Sequence, residues 1–225
     1  MMKKIYAVLA VLAAVMLCWY YRGWIVRTMV RLGVIESPYY ARKVREFNAM
    51  PQKTGGVIFL GDSITDYADF EALLPSRDVL NMGIAGDTTS GVLKRLGGVI
   101  SLKPAKLFLL IGTNDIGEGV ETAPIVRNIK EIITRVQAKS PETRIYLQAV
   151  FPTRNNPSRP NEEIASLNAS LASLAQALHC TFVDTWPLLL DDEGSLAERY
   201  TTDGLHLSPA AYEVWMKFLV PFLDE

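Results

Sequence analysis

From residue 38 onward, short apolar runs alternate with longer stretches whose apolar residues recur every three or four positions. Val57, Ile58, Phe59 and Leu60 form an uninterrupted apolar run that stops at Gly61, the mark of a buried strand. Residues 79–82 are a second, weaker run, and 106–111, 144–150 and 181–184 supply three more. Helical spacing fills the intervals. It runs over 88–100, then over 122–139, with Ile125, Ile129, Ile132, Ile133 and Val136 on one face. A third such stretch, 161–178, aligns Ile164, Leu167, Leu171, Leu174 and Leu178. Residues 39–50 fit a polar helix, and 208–223 a last helix opened by Ser208 and Pro209. Residues 151–160, rich in Pro, Asn and Arg, read as a loop. Five short strands interleaved with helices predict an α/β fold, a parallel sheet covered on both faces. No internal repeat, low-complexity tract or second-domain linker interrupts it.

The N-terminus follows another pattern. Lys3 and Lys4 precede an apolar run over residues 5–21, closed by Trp19, Tyr20 and Tyr21 as aromatics close a span at a membrane interface. Its length falls between a signal-peptide core and a full span of about 20 residues. No small-residue cleavage site follows, and Leu17 stands before Cys18 where lipid attachment would want a small residue. An uncleaved signal anchor is therefore predicted, with a cleaved signal peptide as the alternative. Residues 24–35 mix apolar positions with arginines and suit a juxtamembrane helix on the membrane surface. Arg22, Arg27 and Arg31 compete with the two lysines, which leaves orientation open under the positive-inside rule. The expected division is a membrane anchor or signal segment over 1–35 and one catalytic domain over 36–225, long enough for a single core. The protein is expected to be membrane-anchored or exported, with its catalytic domain extracytoplasmic.

Charge narrows the partners. A formal net charge of -1 gives no basic face for phosphates, so nucleic acid is not expected as the partner. Cys18 and Cys180 are the two cysteines, and with Cys18 in the apolar N-terminal run no disulfide between them is expected. The two histidines, His179 and His206, stand in no zinc-ligand spacing, and no metal or other cofactor is called for.

The informative residues sit where strands end, the edge at which open α/β sheets bind ligands. Strand one runs into Gly61-Asp62-Ser63, and strand two into residues 81–88, which include Gly83 and Gly86. Strand three runs into Gly112-Thr113-Asn114-Asp115, and Asp203-Gly204-Leu205-His206 precedes the last helix. Each alone has an ordinary explanation: a turn, an anion nest, a helix cap, a structural histidine. Their joint order is harder to explain that way. Ser63 would be a nucleophile, since a serine hydroxyl needs a base to take its proton. Histidine, titrating near about pH 6.5, is the natural base, so His206 fits that part. Asp203 could turn back within one loop to orient the imidazole. Backbone N–H groups at Ser63 and Gly86, with the Asn114 amide, could hold an oxyanion. The absence of a Gly-x-Ser-x-Gly elbow argues against the α/β-hydrolase fold.

These blocks resemble those of the SGNH hydrolases, the GDSL-type esterases and lipases, over residues 38–225. The resemblance implies a three-layer α/β/α sandwich with a five-stranded parallel, flavodoxin-like sheet. It implies Ser63 as nucleophile, Gly86 and Asn114 as oxyanion-hole residues beside Ser63, and Asp203 and His206 as the remaining pair. Thr113 stands where many members have glycine. The implied activity is hydrolysis of carboxylic esters through an acyl-enzyme, on acetylated carbohydrates, lysophospholipids or other short-chain acyl esters. Acyl transfer by the same triad and an inactive carbohydrate-binding domain are the alternatives.

Other residues read as structural. His179 lies away from the carboxyl edge, Asp62 and Asp115 suit local loop bonds, and Trp186 and Trp215 suit the core. Asp184 is a rival to Asp203, with capping as its ordinary role. Loop 151–160 should leave the sheet beside Ser63 and form a wall of the pocket, where Arg154 and Arg159 could meet an anionic substrate. The N-terminal pattern gives a direct test. Full-length protein should fractionate with membranes, and a chain started near Glu36 should be soluble and active. Full-length protein confined to the soluble fraction, with an N-terminus beyond Tyr21, would instead mean a cleaved signal peptide.

Overall fold

The computed structural model of the protein describes residues 37–51 and 53–225. The anchor and juxtamembrane segments expected over 1–35 lie outside these residues. The boundary between two compact units falls between Arg45 and Glu46, inside the first described helix, α1 (Pro38–Ala49). The unit Glu46–Glu225 holds all five strands.

Five strands build its centre: β1 (Val57–Gly61), β2 (Val79–Gly83), β3 (Lys106–Leu110), β4 (Arg144–Gln148) and β5 (Thr181–Val183). All pair in parallel, in the order β2-β1-β3-β4-β5. Parallel neighbours need crossovers. The long ones are α4 (Thr89–Ser101), α6 (Thr122–Lys139) and α7 (Asn161–Ala177), and α8 (Pro209–Asp224) follows β5. Single turns lie at strand ends and in loops: α2 (Ser63–Asp66), α3 (Phe70–Leu73) and α5 (Thr113–Gly117), with 3-10 turns at Trp186–Leu189 and Glu198–Tyr200. These short turns went unpredicted because four or five residues contain too little of a helical period to register. The strand order is the flavodoxin-like one that the sequence led us to expect.

The strands alternate two apolar sets. Phe59, Phe108 and Tyr146 lie side by side on one face, with stacked centroids 4.7 and 4.5 Å apart. Trp215 of α8 meets Phe59 and Phe151 edge-on and donates its indole N–H to Gln148 at 2.8 Å. Ala211, Met216 and Leu219 of the same helix complete this cluster. The intervening strand residues, Ile58, Leu60, Leu107, Leu109, Ile145 and Leu147, are also buried. The stripe of α6 is buried as read from the sequence, and that of α7 is buried at Ile164, Leu167, Leu171 and Leu174, whereas Leu178 lies just past the helix and is half-buried. Trp215 is thus core, as expected, and Trp186 is only half-buried. Ser208, expected to open the last helix, caps α8 by accepting from the Ala211 N–H, and Thr88 proves to be the cap of α4, accepting from the Gly91 N–H, where the sequence places it inside the helix.

Candidate active site

The chain moves from β1 to β2 on one side and then crosses to β3 on the other, so the carboxyl ends of β1 and β3 flank a topological switch point. After β1, Asp62 caps α2 by accepting from the Ile64 N–H at 3.0 Å. Ser63 thereby becomes the first residue of α2, with 5% of its surface exposed. After β2, the Asn81 side chain ties this turn down. It donates to the Thr65 carbonyl at 2.8 Å and accepts from the Gly83 N–H at 2.9 Å. Gly86 has φ +78°, a left-handed conformation that side chains disfavour. After β3, Asn114 in α5 donates through Nδ2 to the Asp87 carbonyl at 2.9 Å. Ser63, the Gly86 loop and Asn114 are therefore tied together by the ends of three adjacent strands.

His206 arrives from far along the chain. Its Nδ1 lies 2.6 Å from Asp203 Oδ2 and its Nε2 lies 3.0 Å from Ser63 Oγ. A carboxylate only accepts, so Nδ1 carries the proton and Nε2 is left to accept from the Ser63 hydroxyl. Asp203 Oδ1 also accepts from the Leu205 and His206 backbone N–H groups. Burial pushes the Asp203 carboxyl up. The bonds from His206 and Leu205 outweigh it and hold the group down at about 2. The rival Asp184 instead accepts from the Trp186 N–H, the capping role expected of it. His179 is exposed at φ +53°, just after α7, away from this site.

Beneath Ser63 lies a buried polar layer. Arg95 donates to Asp87 at 2.8 Å and to the Gly61 carbonyl at 3.1 Å, joining the β2 loop to the end of β1. Asp115 accepts from the Thr89 backbone and hydroxyl. Burial raises the Asp87 carboxyl to about 6 despite Arg95. Burial also raises Asp62, to about 7, with the charges of Asp87 and Asp115 adding to the effect and the Ile64 N–H and Arg159 opposing it. Asp62 serves its own loop, as expected, whereas Asp115 reaches across to Thr89 at the start of α4 instead of bonding its local loop.

Loop 151–160 differs from the expectation in its charges. Arg154 is ion-paired with Asp191 at 3.0 Å. Arg159 turns inward, donating through Nε to the Thr113 carbonyl at 3.0 Å and through Nη2 to Asn114 Oδ1 at 3.2 Å. A Cβ on Gly117 would come within 2.4 Å of the Arg159 guanidinium, so glycine there lets the arginine lie on α5. Both guanidinium groups are held by the protein rather than offered to an anionic substrate. The loop also braces the histidine loop, through Arg154 N–H to the Gly204 carbonyl at 2.8 Å.

Comparison with known proteins finds relatives over most of the chain. The pattern of the GDSL-like Lipase/Acylhydrolase family matches residues 59–214. Platelet-activating factor acetylhydrolase IB subunit alpha1 of Bos taurus is 29% identical over 163 residues, covering 69% of each chain. A Streptococcus pneumonia structure described as a platelet activating factor is 32% identical, covers 92% of this chain and 98% of its own, and superposes with a TM-score of 0.77. A GDSL-like lipase structure from Bacteroides thetaiotaomicron is 26% identical, with coverage of 82% and 97% and a TM-score of 0.73.

The raised Asp62 carboxyl has a stability consequence. The folded state holds this proton above the pH at which the unfolded chain releases it, so stability falls as pH rises from about 4 to about 7. Asp62→Asn keeps the acceptor for Ile64 and removes the buried charge. Its melting temperature should equal or trail the parent's near pH 4 and exceed it at pH 8, by an amount worth a few kcal/mol. A difference that does not change between those pH values would refute the assignment.

Proposed function

We propose a mechanism for this chain, which belongs to the GDSL-like lipase/acylhydrolase family and is an ester-bond hydrolase. Ser63 Oγ attacks the ester carbonyl carbon while its proton passes to His206 Nε2. Asp203 stabilises the resulting imidazolium without taking its proton. The carbonyl oxygen, now an oxyanion, is held by the Ser63 and Gly86 backbone N–H groups and by the second hydrogen of the Asn114 amide. Collapse breaks the bond to the alcohol oxygen, which leaves with the proton from His206. Water then attacks the acyl-enzyme with His206 as base, releasing the acid and restoring Ser63. The observation that carries this reading is the continuous chain from Asp203 through His206 to Ser63, at 2.6 and 3.0 Å.

The substrate we infer is a carboxylic ester with a small acyl group. The support is the tight surround of the nucleophile: Ser63 is 5% exposed and Asn114 9%. Acetylated sugars and lipid-like acetyl esters both fit that acyl preference. Tethering by residues 5–21 outside the cytoplasm belongs to the same proposal and rests on the sequence alone.

Ser63→Ala and His206→Ala should each lower kcat on an aryl acetate by on the order of 10⁴- to 10⁶-fold with unchanged melting temperature. A fluorophosphonate probe should label the parent and not Ser63→Ala; near-normal turnover by the folded Ser63→Ala protein would end the proposal. Arg159 is a positioning residue here, since it fixes the Asn114 amide. Arg159→Ala should lower kcat about tenfold to a hundredfold, less than deletion of an oxyanion donor, with little change in KM. Arg159→Lys, able to make only one of the two bonds, should recover part of that. A purely structural role would lower the melting temperature and leave kcat per folded molecule intact.

A further inference from the structure

An open groove of about 780 Å³ runs between α3 and α8, and it begins beside His206. At its head stand Tyr67, whose ring centroid is 5.3 Å from that of His206, and Leu207, the next residue in the chain. Its floor is apolar and buried: Leu207, Tyr212 and Met216. Tyr212 turns its hydroxyl away to the Ile64 carbonyl, which leaves ring carbon to the groove. Leu73 and Val220 continue the lining, while Asp69, Glu213 and Lys217 are exposed at the rim. From Pro209 to Val220 the groove follows α8 for about 16 Å at a rise of ~1.5 Å per residue. Among the described residues, Tyr67 is the large apolar side chain that stays exposed, at 55%, and it lies at the junction of groove and site.

We infer that this groove binds the alcohol portion of the substrate, and that this portion is a linear alkyl chain; the inference rests on the hydrolase reading above. The direction follows from proton transfer. His206 Nε2 must give its proton to the departing alcohol oxygen, so the alcohol leaves across the imidazole, towards Tyr67 and Leu207. The carbonyl oxygen points the other way, to Gly86 and Asn114. Ser63 and Asn114 are nearly closed off, which leaves little room beside the nucleophile for a long acyl group. A long apolar chain on the alcohol side can lie along this groove, and a trough with an apolar floor and a charged rim suits a chain better than a sugar. Sugar hydroxyls would find few partners on Leu207, Met216 and Val220.

The test is a chain-length series with the full-length protein, using acetate esters of ethanol, hexanol and decanol and, separately, ethyl esters of longer acids. KM should fall about twofold to fourfold per methylene added to the alcohol, while lengthening the acid should lower kcat/KM. Ala72 is exposed on the groove wall, so Ala72→Trp should abolish the dependence of KM on alcohol length. Calorimetric titration with decanol reads the groove without turnover. It should show binding to the parent and at least tenfold weaker binding to Ala72→Trp. Normal hydrolysis of ethyl acetate with KM indifferent to alcohol length, or no decanol binding, would overturn the groove while sparing the hydrolase. No turnover of any ester by folded protein would overturn the hydrolase reading itself.

Discussion

The pairing of β1 with β2 on one side and β3 on the other determines where every reacting group lies. Gly61 is level with Gly83 and with Leu110, so three strands end in one row. Three loops must leave that row within a few ångströms of each other. Ser63 comes from the first, Gly86 from the second and Asn114 from the third. A slip of one residue in either pairing would turn alternating core side chains outward, which the buried sets on both faces forbid. The aromatic row Phe59, Phe108 and Tyr146 and the perpendicular Trp215 lock that register from one side. Packing far from the chemistry therefore fixes the distance between nucleophile and oxyanion donors.

That convergence brings polar groups into a place without water, and the layer under Ser63 shows how the molecule handles it. Asp62, Asp87 and Asp115 are all nearly inaccessible, and three carboxylates so close would repel each other. Arg95 and Arg159 tie the surrounding loops together. Arg95 pairs with Asp87 and holds the Gly61 carbonyl, while Arg159 holds Thr113 and Asn114. The Arg95–Asp87 pair contributes little net stability once its desolvation is counted, but removing one partner would strand a buried charge. The effect of the two arginines is geometric: each one joins a loop at the carboxyl edge to its neighbour.

Much of this was legible in the sequence, for identifiable reasons. Apolar runs with sharp ends at Gly61 and near Gly112 locate the strands, and strand ends locate Ser63 and Asn114. His206 could be chosen because Asp203 stands three residues before it and the other histidine sits at the wrong end of a strand. Arg159 was beyond reach. Its partner Asn114 is 45 residues away, and an arginine in a Pro-rich loop ordinarily points to solvent. The groove was beyond reach too, because Leu73 and Met216 meet only through packing of two helices. Periodicity reports which face of an element is buried, not which unrelated face it meets.

The site is thus built in two halves that differ in exposure, and the difference bears on how each half responds to pH. Ser63, Asn114 and the acids below them are enclosed, whereas the side chains of His206 and Asp203 are 33% and 50% exposed. Exposure would normally leave an aspartate near its ordinary titration, but four hydrogen bonds converge on Asp203, and those from His206 and Leu205 hold it down and keep it ionised wherever the protein is folded near neutrality. The imidazole therefore always faces an anion, and its orientation is independent of pH over that range. Asp62, one residue from the nucleophile, is the opposite case: no cation is close enough to offset burial, and its proton is in balance near neutral pH. Local hydrogen bonding secures the catalytic anion in the wet half, and desolvation controls the structural acid in the dry half. A group's distance from solvent predicts neither charge state until the donors facing it are counted.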